Sequence, residues 1–260
     1  MSKLEHKVPT FAEGTIVRKE IMQCVRDMAL DEQNIRYYKY ADGVIAGCTL
    51  VEENMKVGLI NGMVKFAGHI YKLTTKAFVS YEPTDSLTIL KLRFSPQITS
   101  KEYTHYTAEL VLDTDATIKP HEMEMGRFKL KRGSRLRTDY KDFWDMATEY
   151  DTVNLIHVPQ SACDKPTLSP AITRLFAQEA YNYLADNTLD SAFCTNALSG
   201  ETLNRELIER YICNRLKQDY TGTMNNSKLH ASLGEVLRII TRRSGLNKGR
   251  GRNGDVVVLN

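Results

Sequence analysis

The stretch from Tyr40 to Leu73, YADGVIAGCTLVEENMKVGLINGMVKFAGHIYKL, constrains the fold more than any other part of the chain. Its apolar runs are short, and Asp42-Gly43, Gly47, Gly58, Gly62 and Gly68 punctuate them. Val44-Ile45 and Cys48 to Val51 read as strand. Met55 to Ile60 and Met63 to Phe66 follow, joined at Asn61-Gly62. Asn-Gly between two apolar runs predicts a hairpin, because both central residues of a type I′ turn need φ > 0. Gly68 then sets off a further run, His69 to Leu73. The pattern predicts three or four short antiparallel strands on a tight meander.

Ahead of this meander, residues 1–14 read as a polar arm. Thr15 to Leu30 reads as a helix capped by Thr15. Ile16, Val17, Ile21, Val25, Met28 and Ala29 fall on one face of it, so the stripe is expected to pack on something, the chain's own sheet first and a partner as the alternative. Beyond the meander, Ala77 to Tyr81 reads as strand and Pro83 to Ser86 as turn. Leu87 to Phe94 alternates, with Leu90, Leu92 and Phe94 on one side and Lys91 and Arg93 on a wet face. Tyr103 to Leu112 alternates as well, and Gly126 to Leu130 is a last short strand. Many short strands with frequent turns suit a small sandwich or half-barrel.

From Asp139 the periodicity changes. Asp139 to Glu149 suits a short helix, and Thr152 to Val158 a strand returning to the sheet. Ser169-Pro170 is a strong helix start, with Ser as N-cap and Pro at the first helical position. Asp186-Asn187-Thr188 breaks that helix. Leu189 to Ser199 and a helix capped by Asn204 follow, the latter with Leu207, Ile208, Tyr211, Ile212 and Leu216 inward. Ser227 to Arg243 is the clearest helix, stopped at Ser244-Gly245. The expected class is therefore α+β: an N-terminal helix, a small antiparallel sandwich or half-barrel, then about four helices. The expected divisions are an arm and helix over 1–35, a β-rich domain over 36–160, a helical domain over 161–245 and a basic tail over 246–260. The tail ends on Val256, Val257, Val258 and Leu259. A disordered tail would not ordinarily finish so, and this run is expected to dock on a sheet edge.

Composition excludes several classes. With 260 residues and a net charge of +3, nothing in the totals points to nucleic acid. Cys24, Cys48, Cys163, Cys194 and Cys213 are scattered without a C-x-x-C pair, which argues against a disulfide framework or a zinc site. No apolar stretch reaches about 18 residues, so no transmembrane helix is expected. MSKLEHKVPTF lacks the apolar region of a signal peptide, so synthesis in a cytoplasm is expected.

No catalytic constellation stands out. The six histidines share no metal-ligand spacing. His121-Glu122 lacks the second histidine of a zinc-protease helix. Asp113-Thr114-Asp115 lacks further oxygen ligands for a cation, so a solvated turn is the better reading. Neither a G-x-x-x-x-G-K-[ST] loop nor a G-x-G-x-x-G run is read here, so nucleotide binding through a phosphate loop is not expected. Catalytic, cofactor and metal sites are all expected to be absent. Two basic runs remain, Arg127 to Arg137 and Arg242 to Arg252. They could neutralise phosphates or meet an acidic protein face, and they lack the interleaved aromatics that stack bases.

Two regions carry a resemblance. FAEGTIVRKEIMQCVRDM with YADGVIAGCTL and NGMVKFAGHIYKL resembles the N-terminal part of tail and baseplate proteins from phages of Gram-positive bacteria. Asp42 to Gly47 takes the place of a "DGVISG" turn, with Ala46 where Ser is common. PTLSPAITRLFAQEAYNYLADNTLDSAFCTNALSGETLNRELIERYICNRL resembles the C-terminal half of the same kind of protein, a group often labelled a DNA and RNA helicase. The resemblance implies a non-enzymatic structural part of a phage tail or phage-tail-like bacteriocin, at the baseplate or fibre attachment. Its implied partners are other baseplate subunits and a receptor-binding fibre, with several copies per particle and no cofactor. Arg242, Arg243, Lys248, Arg250, Arg252, Val256, Val257 and Val258 are the expected contact residues. The alternatives are a nucleic-acid accessory protein using both basic runs, and a tail assembly chaperone.

Overall fold

The computed structural model describes residues 7–14, 16–147, 151–184 and 187–250, and of 243–250 only the backbone. It divides into two units, Met1–Tyr40 and Ala41–Asn260. The fold is α+β, with one N-terminal helix, antiparallel sheets and several C-terminal helices.

The first unit is built on α1, Lys19–Tyr37. The helix begins four residues later than Thr15 and runs seven residues past Leu30, through LDEQNIRY, where Leu30, Glu32, Gln33 and Arg36 are good helix formers and no Gly or Pro interrupts. Within the unit, Tyr37 and Tyr40 meet edge to face with ring centroids 5.3 Å apart. No residue of α1 is buried.

The second unit opens with the meander. β1 (Gly43–Glu53), β2 (Lys56–Phe66) and β3 (His69–Leu73) lie in that order, and β4 (Ala77–Ser80) pairs with the other end of β2. The β1–β2 turn is at Asn54-Met55, both left-handed with φ of 51° and 61°, and not at Asn61-Gly62. Asn61-Gly62 lies inside β2, where Gly62 faces Gly47. A Cβ on Gly62 would sit 2.3 Å from the Cys48 nitrogen. The glycine there admits a close strand approach, and Asn-Gly imitates a turn it does not make. β2 and β3 join at Ala67-Gly68, where φ values of 48° and 81° suit a primed turn, at the glycine that sets off the run His69 to Leu73.

A second sheet has the order β8-β5-β9, with β5 at Leu87–Phe94, β8 at Ala108–Asp113 and β9 at Glu122–Lys129. Between β5 and β8, Ile98–Thr99 (β6) and Thr104–His105 (β7) form a small ribbon of their own. The two larger sheets enclose one core. Val44, Leu59 and Val64 come from the first, and Leu90, Met123 and Phe128 from the second. Phe66 stacks on Phe94 across the seam with centroids 3.8 Å apart.

The helical half comprises α2 (Pro170–Tyr181), α3 (Thr188–Leu198), α4 (Arg205–Leu216) and α5 (Asn226–Arg250). Their starts follow the sequence. Ser169 accepts from the Ala171 N–H at the head of α2, and Asn187 accepts from Leu189 and Asp190 at the head of α3. Asn204 stands at the N-cap of α4 without a side-chain cap bond. α5 does not stop at Ser244-Gly245 but runs to Arg250. Phe176 packs in the middle of this core against the rings of Phe143, Phe193 and Tyr211.

Of the expected helix over Asp139–Glu149, residues 148–149 lie outside the described residues and the rest holds one 3₁₀ turn at Asp145–Ala147; Thr152 to Val158 makes isolated bridges instead of a strand. Polar side chains take over the backbone here. Asp142 accepts from the Trp144 and Asp145 N–H groups, and Asn154 accepts from Ile156. The segment serves both cores. Val153 and Val158 belong to the β core, Phe143, Met146 and Ile156 to the helical one, and Leu155 packs against each.

Candidate functional site

α1 offers one candidate surface. Ile21, Val25, Met28 and Ile35 recur at three-, four- and seven-residue steps, and Val25, Met28 and Ile35 are exposed, Ile35 to 72%. Met22 and Leu30 are exposed too, but on other sides of the helix. Helices much shorter than about 15 residues are marginal in water, and longer ones with many charges still draw most of their stability from packing an apolar face.

A second surface is a cleft between α3 and α4 with a volume of 620 Å³. Leu189 and Leu207 are exposed along it, and Phe193 and Tyr211 form its floor. Leu207 is therefore not an inward residue, as its spacing suggested. Sequence reasoning missed the cleft because Leu207 and Ile208 are adjacent and only the packing decides which one turns inward.

The basic run from Arg127 to Arg137 is largely committed within the fold. Arg127 pairs with Glu124 at 2.6 Å, and Arg135 with Glu52 at 2.9 Å. Arg137 meets Asp145 at 3.1 Å and Asp151 at 3.5 Å. Lys129 and Lys131 have interactions of their own. Phosphates would have to compete with partners already in place.

Of the predicted contact residues at the C-terminus, Arg242 is exposed on α5. Arg243, Lys248 and Arg250 continue the same helix as backbone. Arg252, Val256, Val257 and Val258 lie outside the described residues, as does the expected terminal strand. Contrary to the reading above, Gly249 to Gly254 has the G-x-G-x-x-G spacing, but its first two residues lie inside α5 and no strand leads into it.

Among the described residues no group of three or more His, Cys, Asp or Glu side chains is placed to hold a metal. Asp113 and Asp115 accept from the backbone N–H groups of Asp115 and Thr117, and Asp113 also from Lys91, which makes the D-x-D a bonded turn. Burial pushes the Cys48 thiol up to about 11 and Cys194 up to about 12, so neither is a ready nucleophile. Burial pulls His230 down to about 4, and its ring stacks on Phe143 at 4.4 Å. It is a core histidine.

The expected wet face of β5 is corrected by Lys91. Its side chain is fully buried, and its ammonium donates to Asp113 (3.0 Å), the Thr117 carbonyl (2.9 Å) and Glu122 (3.2 Å). Arg93 adds a second cation to Glu122 at 3.1 Å. Alternation in sequence assigned both bases to solvent; the acids that cover them come from β8 and β9, remote in the chain.

No family model matches the sequence, and no curated protein matches it. Solved structures with a similar fold include a crystal structure of TssK, at 10% identity over 92% of this chain and 69% of that one, with a TM-score of 0.37. A second is the TssK-TssF-TssG baseplate subcomplex of the type VI secretion system, at 12% identity over 91% of this chain and 100% of the matched chain, TM-score 0.38. A third is the baseplate complex from the type VI secretion system, at 12% identity over 90% and 100% of the two chains, TM-score 0.34. A likeness at this level carries no functional argument.

Proposed function

We propose that this chain is a non-enzymatic structural component of a phage tail or phage-tail-like particle, at the baseplate or fibre-attachment region, where it acts as a docking adaptor. The observation that carries the reading is α1, a helix of 19 residues with Ile21, Val25 and Met28 on one face and no buried residue. Such a face is stabilised by a matching apolar surface, and the occupant we assign to it is another subunit of the same particle. The resemblance of Asp42 to Gly47 and Gly62 to Leu73 to tail-module proteins supports that choice. Arg242, Arg243, Lys248, Arg250 and Arg252, with Val256, Val257 and Val258, are proposed as a second contact to baseplate subunits or a receptor-binding fibre. Several copies per particle are expected, assembled from protein made in a bacterial cytoplasm.

Mass spectrometry of purified particles tests the reading. The chain should be found there in stoichiometric amount and should co-purify with baseplate subunits. An assembly chaperone would be missing from finished particles. Tight binding to random duplex DNA that weakens steeply with salt would overturn the structural reading in favour of a nucleic-acid role.

A further inference from the structure

Glu209, on the inner face of α4, is 1% exposed, and neither of its carboxylate oxygens finds a hydrogen-bond donor in the protein. A buried carboxylate without a donor is costly, and proteins ordinarily neutralise or pair one. Glu209 lines a pocket of 260 Å³ with Cys163, Asp164, Lys165, Arg205 and Tyr220. Asp164, Lys165 and Tyr220 are exposed at this pocket, while Glu209 is its most buried member.

The cations around the pocket place their N–H groups elsewhere, although Arg205 feels the Glu209 charge. Lys165 donates to the Gly222 carbonyl at 2.9 Å. The three guanidinium nitrogens of Arg205 donate to the Pro166 carbonyl, the Met224 carbonyl and Asn226 Oδ1. Both side chains thereby tie the 163–166 and 222–226 loops in place on either side of the pocket. Glu206 is paired with Arg210 at 2.7 Å, which removes that arginine as a counter-ion too. The result is a buried acceptor at the base of a pocket with an exposed rim, and its neighbours supply no hydrogen-bond donor. The missing complement is a positively charged N–H donor. The volume lies just below the usual range for drug-sized ligands, about 300–1,000 Å³, and suits one side-chain-sized group.

We propose that this pocket binds an alkylammonium or guanidinium group, with Glu209 as its counter-ion. The group is carried either by a small free amine or guanidine, or by a Lys or Arg side chain of a protein partner. The site stands on its own residues and is independent of the adaptor role of α1.

The test is a titration of the full chain with four chloride salts against equal sodium chloride. Methylguanidinium and n-butylammonium represent the free source. Nα-acetyl-arginine amide and Nα-acetyl-lysine amide represent the side-chain source. At least one should bind saturably by calorimetry and shift backbone amide signals around Lys165, Gly222 and Glu209. Glu209→Gln should weaken that probe by roughly tenfold or more, the loss expected when a charge-assisted hydrogen bond disappears. Binding by the free salts alone assigns a small-molecule ligand, and binding by the blocked amino acids alone assigns a partner side chain. No saturable binding beyond sodium chloride, shifts confined to other parts of the wild-type protein, or equal affinity in a folded Glu209→Gln would each overturn the proposal. Should Glu209→Gln fail to fold, the wild-type shift map decides.

Discussion

Replacing Lys91 by methionine removes the central cation of the β8-β5-β9 sheet while keeping the length of its stem. The ammonium uses its three donors on Asp113, the Thr117 carbonyl and Glu122. In Lys91→Met, Glu122 keeps Arg93 at 3.1 Å and the Lys119 N–H at 3.2 Å, but its carboxylate is fully buried and loses one of two cations. Removing one partner of a buried pair costs about 3–5 kcal/mol. The surviving Arg93 contact puts the expectation at the lower end, ~3 kcal/mol. For a domain of about 150–250 residues, 1 kcal/mol moves Tm by about 2–4 °C, so Tm should fall by roughly 6–12 °C. Thermal unfolding followed by circular dichroism at pH 7 reads this directly. Adding Glu122→Gln removes the stranded charge and should recover most of the loss, since a buried pair replaced as a whole is often near neutral. A single variant melting within about 2 °C of wild type, or a double variant melting below the single one, refutes a buried cluster held by Lys91.

Three further outcomes are expected. Burial raises the Glu122 carboxyl, but the Lys119 N–H, Arg93 and Lys91 outweigh it and hold the group below its ordinary value; the Asp115 N–H and Lys91 hold Asp113 low as well. Depressed carboxyls stabilise above their unfolded pKa values, about 4.3 and 3.9, and lose that contribution as pH falls through the folded ones, so the Tm gap between wild type and Lys91→Met should close below about pH 4; a gap unchanged at pH 3 contradicts this. Gly62→Ala places a Cβ 2.3 Å from the Cys48 nitrogen and should cost about 1–3 kcal/mol, whereas Gly68→Ala meets no atom within 4 Å and should cost ~1 kcal/mol through its φ of +81° alone; equal costs in denaturant melts would show that the strand approach is not tight. Deleting Val256 to Leu259 should reduce recovery of the chain in particles more than it lowers Tm, and undiminished recovery would show that the terminal run makes no contact.

Much of the fold is legible in local chemistry. Ser169-Pro170 and Asn187 start helices where their capping groups say they should, and the strand from Leu87 to Phe94 is bounded by turn residues on both sides. Three features escape sequence reading because they are set by partners far along the chain. Lys91 alternates as a surface residue, yet Asp113 and Glu122 make its burial possible. Asn61-Gly62 has turn chemistry, but the closeness of Gly47 across the ladder uses the glycine for approach, and Asn54-Met55 turns instead. From Asp139 to Val158, Asx-type bonds from Asp142 and Asn154 override the helical and strand patterns. Of the candidate sites, the apolar face of α1 was visible as a stripe, while its lack of burial was not. Glu209 gives no signal, because a glutamate beside Ile208 in an amphipathic helix reads as boundary and only the surrounding loops bury it.

The central claim is that the exposed face of α1 is a docking face for another particle subunit. Val25→Asp with Met28→Asp places two charges on that face. Both positions are 42% exposed, so the substitutions should change stability by no more than about 0.5 kcal/mol, the usual range for surface sites. Recovery of the doubly substituted chain in purified particles, measured against wild type in the same preparation, should fall severalfold while its Tm stays within about 2 °C. Unchanged recovery, or a Tm drop large enough to show that the face belongs to the chain's own core, would contradict the account.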